Sequence, residues 1–319
     1  MYNGDDILLV NVSEGIEKLV VRFPGGMQEV NSYLVKGENG YTVIDTGIYS
    51  EEAIATWEAL FDTGVEVKKV VLTHTHQDHI GLARWFQENK GVPVYTSKLG
   101  YKEMLKHRDK KRIKENLADL LHMHGGPNLP GRIGNDSFIY EFEPDGFFDE
   151  TDTILLGNQC FEVVWTPGHA PDHYCFYQKD RKLMLIGDHI LNKISPVIGL
   201  WTGEEFNPLN DYFASVERMQ HYPTALALPG HGENIHRLSE RVQTLIQGHE
   251  RRLNEVESIV KAETLTAAEV CEKIYGSLKF SHFVSPFMAT LTRLIYLESM
   301  DKIHRFYDNE KVYFSINQS

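Results

Sequence analysis

The stretch VVLTHTHQDHIGLA, residues 70–83, places His74, His76, Asp78 and His79 within six positions at the end of an apolar run. Imidazole and carboxylate are good ligands for zinc and related divalent ions. A catalytic ion also needs ligands from elsewhere in the chain and an open position for water. VKKVVLT reads as a buried strand, so the motif sits at a strand's C-terminal end. Three further segments have the same form: TPGHAPDH with His169 and His173, LIGDHI with Asp188 and His189, and LPGHGEN with His231. Each follows a strand-like run and occupies a Gly- or Pro-containing turn, so each can project a side chain from the same sheet edge. One buried histidine is more often a hydrogen-bonded core residue than a ligand. Packing gives no reason to repeat His or Asp at four strand ends.

Working outward, residues 16–23 and 31–45 alternate around GENG and predict antiparallel strands joined by hairpins. Ile54, Trp57, Leu60 and Phe61 predict a helix over residues 50–61, and a second helix is expected near 80–90. VPVYT, CFEVVWT, YCFYQ, KLMLIGD and TALALPG supply further strands, which implies sheets covered by helices. The three cysteines, Cys160, Cys175 and Cys271, lack paired spacing and are expected as buried thiols. The chain has no apolar run long enough to cross a bilayer, and MYNGDDILLV lacks the pattern of a secretory signal. A cytoplasmic enzyme without membrane contact is therefore expected. A net charge of −13 argues against a surface built throughout for nucleic acid.

Residues 97–147 differ in composition. From Lys98 to Lys114 there are eight Lys or Arg against two acidic residues, and Ile113, Leu117, Leu120 and Leu121 share a helical face. A helical insertion ending at HGGPNLPGRIG is predicted. A solvated basic face is its ordinary reading, and a lid presenting charge to an anionic substrate is the functional one. His122 and His124 are expected as surface or lid residues. Beyond residue 234 the pattern turns helical: Leu238, Val242, Leu245, Ile246, Leu253 and Val256 mark a long helix, and Thr266 with Glu269 forms a capping box before a helix ending near Gly276. A helix over roughly 287–300 and a hairpin around Asp308-Asn309 complete a small winged-helix-like module. The expected division is a catalytic domain over 1–236 and this module over 237–319.

His74-Thr75-His76-Gln77-Asp78-His79, followed by His169, Asp188 and His231, resembles the metallo-β-lactamase superfamily over roughly residues 16–235. The resemblance implies an α/β fold, the αβ/βα sandwich, with a dinuclear site at one edge. It assigns His74, His76 and His169 to the first metal, Asp78, His79 and His231 to the second, and Asp188 to both. Asp45, in VIDTG, matches the superfamily's acid that orients a ligand imidazole. The terminal module, TPGHAPDH and LPGHG are most similar to the β-lactamase-like branch with a C-terminal winged helix. Departures narrow the branch. His76 excludes the flavodiiron pattern, Leu191 stands where lactonases carry Tyr, Asp188 argues against antibiotic hydrolysis, and no glutathione-binding tail of the glyoxalase II type is recognisable.

Two cations bridged by a carboxylate lower the pKa of a shared water from 15.7 to about 7, so no Ser or Cys nucleophile is required. The expectation is a dinuclear metal-dependent hydrolase of an ester-like bond, phosphodiester, thioester or lactone, acting on a small-molecule or anionic substrate. Zinc is the expected metal, and iron or manganese fits the same ligands. Asp78 and Asp188 are expected in the catalytic centre, with His173 as proton donor to the leaving group. A mononuclear iron persulfide dioxygenase is the alternative enzyme. A nucleic-acid-binding or sensor protein is a weak third reading, because residues 237–319 carry eleven basic and eleven acidic residues. Packing or homodimer formation is the expected role of that tail.

Overall fold

A computed structural model describes residues 9–23, 28–130 and 136–316. Residues 131–134 at the end of HGGPNLPGRIG, and most of MYNGDDILLV, lie outside them. The chain runs β1 (Val10–Ser13), β2 (Ile16–Arg22), β3 (Glu29–Gly37), β4 (Gly40–Ile44), α1 (Glu51–Asp62), β5 (Val67–Val71), α2 (Gln77–Ile80), α3 (Ala83–Lys90) and β6 (Val94–Ser97). The basic insertion supplies α4 (Lys98–Arg108) and α5 (Lys110–Met123). Then come β7 (Gly146–Phe148), β8 (Thr153–Leu156), β9 (Gln159–Trp165), β10 (Tyr174–Gln178), β11 (Leu183–Gly187), α6 (Pro208–Arg218) and β12 (Leu226–Pro229). The tail forms α7 (Leu238–Ala262), α8 (Ala267–Tyr275), α9 (Phe280–Ser299), β13 (His304–Asp308) and β14 (Lys311–Ser315).

One sheet has the order β1-β2-β3-β4-β5-β6-β7 and the other β12-β11-β10-β9-β8. They face each other across Tyr33, Val35, Ile44 and Val71 on one side and Phe161, Phe176, Leu185 and Leu228 on the other. Helices α1, α3 and α4 cover the outer face of the first sheet, through Trp57, Phe86 and Met104. Helices α5 to α9 cover the second, through Leu120, Tyr212, Leu245, Val270 and Leu291. This is the expected αβ/βα sandwich. The insertion bridges both outer layers. The tail shares one continuous hydrophobic cluster with Val164, Met184 and Ile186 of the second sheet, so packing runs across the 236/237 boundary read from sequence pattern.

Local signals account for most elements. Ser50 caps α1 by accepting from Ala53 N at 3.1 Å, and Ala53, Trp57 and Leu60 form its buried face. Trp57→Ala would cost about 3–5 kcal/mol as a core truncation. Trp57 also reaches the histidine loop: Nε1 donates to Thr46 O at 2.8 Å, and Thr46 Oγ1 donates to His79 O at 2.8 Å. The Thr266 and Glu269 capping box forms as expected. The helix expected near 80–90 is divided at Gly81-Leu82 into α2 and α3. Helix α9 begins at Phe280 rather than 287 and carries Pro286 inside it. Pro fits the first turn of a helix best, which is why the pattern alone places the start there. Two expectations are corrected outright. Cys160 is exposed on β9, and His124 is buried, facing Glu205 at 3.2 Å and stacked on Phe314. Among the described residues no helix is long and apolar enough to cross a membrane.

Candidate metal centre

The four turns converge at one edge of the sandwich. Two groups of donors form there, His74, His76 and His169, and Asp78, His79, Asp188 and His231, with the ligand atoms of each group within 4.8 Å of one another. Asp188 faces both: Oδ2 is 3.6 Å from His169 Nε2, 3.4 Å from His79 Nε2 and 3.3 Å from His231 Nε2. Asp78 Oδ2 is 3.2 Å from His231 Nε2. All seven residues expected from sequence are thus brought together.

Four of the five imidazoles are set by a partner on the outer ring nitrogen. His79 Nδ1 meets Asp45 Oδ2 at 2.8 Å, His169 Nδ1 meets Val197 O at 2.9 Å, and His231 Nδ1 meets Glu29 O at 2.6 Å. Thr73 Oγ1 donates to Asp45 Oδ2 at 2.8 Å and lies 3.0 Å from His74 Nδ1, so that nitrogen also carries its proton outward. These partners turn the Nε2 atoms of His74, His79, His169 and His231 toward the centre, where a cation would take up their lone pairs. Asp45 is buried, accepts from Thr73 N as well at 2.8 Å, and has φ of 59°.

The donor set fits divalent ions. His74 Nε2, His79 Nε2 and Asp188 Oδ1 are buried without a hydrogen-bond partner among the described residues. His76 Nδ1 and His169 Nε2 lie 2.9 Å apart, and the latter is a lone pair. Buried acceptors in such contact are costly without a cation or proton between them. Burial and the neighbouring imidazoles hold His74 well below its ordinary pKa. Burial opposes charge on His79 and His231 too, but the carboxylates outweigh it, raising His79 and pushing His231 up to about 10. Burial also disfavours charge on Asp78 and Asp188, and the adjacent imidazoles overcome it, lowering both.

Two glycines permit this closeness. A Cβ on Gly230 would stand 2.3 Å from Asp188 Oδ1, and one on Gly187, at φ +49°, would stand 2.6 Å from His173 Nε2. Asn31 pins the His231 turn to the first sheet by donating from Nδ2 to Pro229 O and Gly232 O, both at 2.9 Å.

His173 does not face a substrate pocket, which corrects its expected role as proton donor. It is fully buried; Nε2 accepts from Asp188 N at 3.0 Å and Nδ1 meets Thr166 Oγ1 at 2.7 Å. Both nitrogens are thus occupied in holding the Asp188 turn. His189 also lies outside the two donor groups, packed edge-on against Tyr212 at 5.6 Å.

Beside His76 and His169 opens a cavity of about 350 Å³, walled by Ile113, Leu117, Tyr140 and Trp201, with Lys110 and Asp136 at the side. Lys110 Nζ is buried and 3.7 Å from Asp136. Other insertion cations turn to acids: Lys106 to Glu103 and Glu204 at 3.0 and 3.3 Å, Arg108 to Glu143 at 2.9 Å, and Lys111 to Glu115 at 3.8 Å. The ordinary reading thus describes these residues, and Lys110 is the insertion cation that lines this cavity. Trp201, in an irregular segment, carried no sequence signal.

The profile of the Metallo-beta-lactamase superfamily matches residues 25–231. The chain belongs to this superfamily. Among relatives of this metallo-beta-lactamase superfamily protein, the "Probable metallo-hydrolase YqjP" of Bacillus subtilis is 25% identical, over 95% of this chain and 98% of its own. An atrochrysone carboxyl ACP thioesterase of Aspergillus fumigatus is 26% identical, over 84% of this chain and 78% of its own. The crystal structure of a metallo-beta-lactamase family protein from Thermus thermophilus superposes with a TM-score of 0.83 at 26% identity, covering 96% of this chain and 100% of that one.

Proposed function

We propose that this metallo-beta-lactamase superfamily hydrolase cleaves a thioester of an apolar acyl group, using two divalent ions. Asp188 Oδ2, within 3.6 Å of imidazoles from both donor groups, is the observation that carries the dinuclear reading. His74, His76 and His169 would hold one ion and Asp78, His79 and His231 the other, with Asp188 shared. Zinc best matches the nitrogen and oxygen donors. When bound, the ions would lower the pKa of a shared water to about 7 and polarise the scissile carbonyl. A single iron, as in the dioxygenase reading, would leave one donor group without a cation.

The pocket supports the thioester. Ile113, Leu117, Tyr140 and Trp201 offer apolar surface to an acyl chain, and Lys110 can pair with an anionic end. A phosphodiester calls for several cations at the reacting centre, whereas Lys106, Arg108, Lys111 and Arg112 each face a carboxylate of the protein. The leaving group points the same way. With His173 committed to the Asp188 turn, the other imidazole in the cavity is His107, held down to about 4 by burial and by Lys106. It is neutral near pH 7 and a poor proton donor. A thiolate, with a pKa near 8.5, departs without one. The related protein named as an ACP thioesterase is consistent with this chemistry.

The metal-loaded protein, assayed with an S-acyl N-acetylcysteamine series, the matched oxygen esters, bis-p-nitrophenyl phosphate and an acyl homoserine lactone, should favour the thioesters in kcat/KM by about tenfold or more, equivalent to about 1.4 kcal/mol. Preference for the phosphodiester would overturn the assignment.

A further inference from the structure

The balanced charge of the tail conceals a segregation. Helix α7 places Arg241, Thr244, Gly248, Arg251 and Arg252 along one stripe, and Lys193 from the loop after Asp188 and Arg293 from α9 face it across a cavity of about 580 Å³. Five cations and one carboxylate, Glu255, line this cavity, a formal +4 in a chain of net −13. Glu255 pairs with Arg252 at 2.5 Å. The hydrogen-bond partners of Arg241 and Arg293 are neutral: Arg241 donates to Leu191 O and Ile194 O at 2.6 and 2.7 Å, and Arg293 donates to Ala289 O at 2.7 Å and also meets the Tyr275 side chain. Those bonds fix the guanidiniums without cancelling their charge.

The deeper wall adds two unsatisfied groups. His249, 4% exposed, meets Ser195 Oγ through Nε2 at 2.9 Å, while its Nδ1 and the Nε of Arg293 are buried without a partner among the described residues. Burial, then the Arg293 and Arg241 charges, push His249 down to about 4, so its ring stays neutral in a positive field. Gly248 opens the floor. It lies inside a 25-residue helix, where Ala is intrinsically favoured, and a Cβ there would meet only Arg251 Nη2, at 3.8 Å. Sterics therefore do not require the glycine.

We propose that this cavity is a second binding site, separate from the metal centre, for a small phosphate-bearing polyanion. Guanidinium forks match phosphate oxygens in pairs, and like charges converging from α7, α9 and the 193–195 loop are relieved by a ligand carrying several negative charges. The volume suits a nucleotide-sized molecule. A small ligand is favoured over a nucleic acid because His249 and Arg293 lie at the depth of a cavity, not along a ridge. The 193–195 loop continues to Val197, whose carbonyl holds His169, so occupancy would press on the segment that supports the metal centre.

The test is calorimetric titration of the metal-loaded full chain with ADP at low and moderate salt. Saturable binding should weaken as salt rises. Lys193→Gln combined with Arg251→Gln, both exposed positions, should weaken it about tenfold or more with melting temperature and hydrolysis unchanged. Gly248→Leu, which keeps every charge and fills the floor, should weaken it similarly. Absence of saturable binding, or binding that both variants leave intact because ADP sits at the metals, would overturn the proposal. So would tight binding of a single-stranded oligonucleotide with none of ADP.

Discussion

Replacing His173 by Leu separates bracing from proton transfer. The imidazole accepts the Asp188 amide at 3.0 Å and meets Thr166 Oγ1 at 2.7 Å, in a fully buried position. Leu approximates the volume but answers neither group. A buried donor or acceptor left unpaired costs about 1–3 kcal/mol, so two such losses amount to about 2–6 kcal/mol. At about 2–4 °C per kcal/mol for domains somewhat smaller than this one, the metal-free protein should melt about 4–24 °C lower. Because the lost bond holds the backbone of Asp188, metal affinity should fall as well. His173→Gln can accept from Asp188 N through Oε1 and donate to Thr166 through Nε2, and it should recover part of both. Differential scanning calorimetry of the stripped protein, with elemental analysis of the loaded one, reads these effects. A Leu variant with wild-type melting and metal content, but with kcat reduced most for poor leaving groups, would refute the bracing role and restore the proton donor.

Asp45→Asn removes the carboxylate oxygen that receives His79 Nδ1 at 2.8 Å and should lower metal affinity or activity about 10–100-fold, measured by chelator competition. Lys110→Glu should raise KM for carboxylate-bearing substrates about fivefold, on the order of 1 kcal/mol, whereas Lys111→Glu, at a side chain 86% exposed beside Glu115, should leave KM unchanged; steady-state kinetics at two salt concentrations checks the pair.

The sheets and the seven donors were legible because both rest on local pattern. Alternation marked β2 to β4, VKKVVLT running into the histidines marked β5, apolar runs marked β10 and β11, and a His or Asp in the turn after a strand marked each donor. What failed depends on direction or on distant partners. His173, four residues after His169, looks like another ligand in sequence, but the start of β10 turns its ring beneath the Asp188 turn. The sign of the insertion's charge was readable, whereas its neutralisation by Glu143 and Glu204 comes from segments far along the chain. Helix α6 has a start signal, Asn207 before Pro208, but only eleven residues of periodic pattern after it, and β7 is only three residues long, too short to show a period. In the tail, equal numbers of acids and bases concealed the basic stripe on α7, since a sum over residues ignores which face each occupies.

The most direct test of the dinuclear account is elemental analysis of the wild-type chain beside Asp188→Asn. Asn keeps the size and turn propensity of Asp but lacks its charge. The account predicts about two divalent ions per wild-type chain, and the loss of at least one ion with nearly all hydrolysis in Asp188→Asn, while circular dichroism stays native-like. A wild-type chain holding a single iron, or an Asp188→Asn variant that keeps two ions and normal turnover, would contradict it.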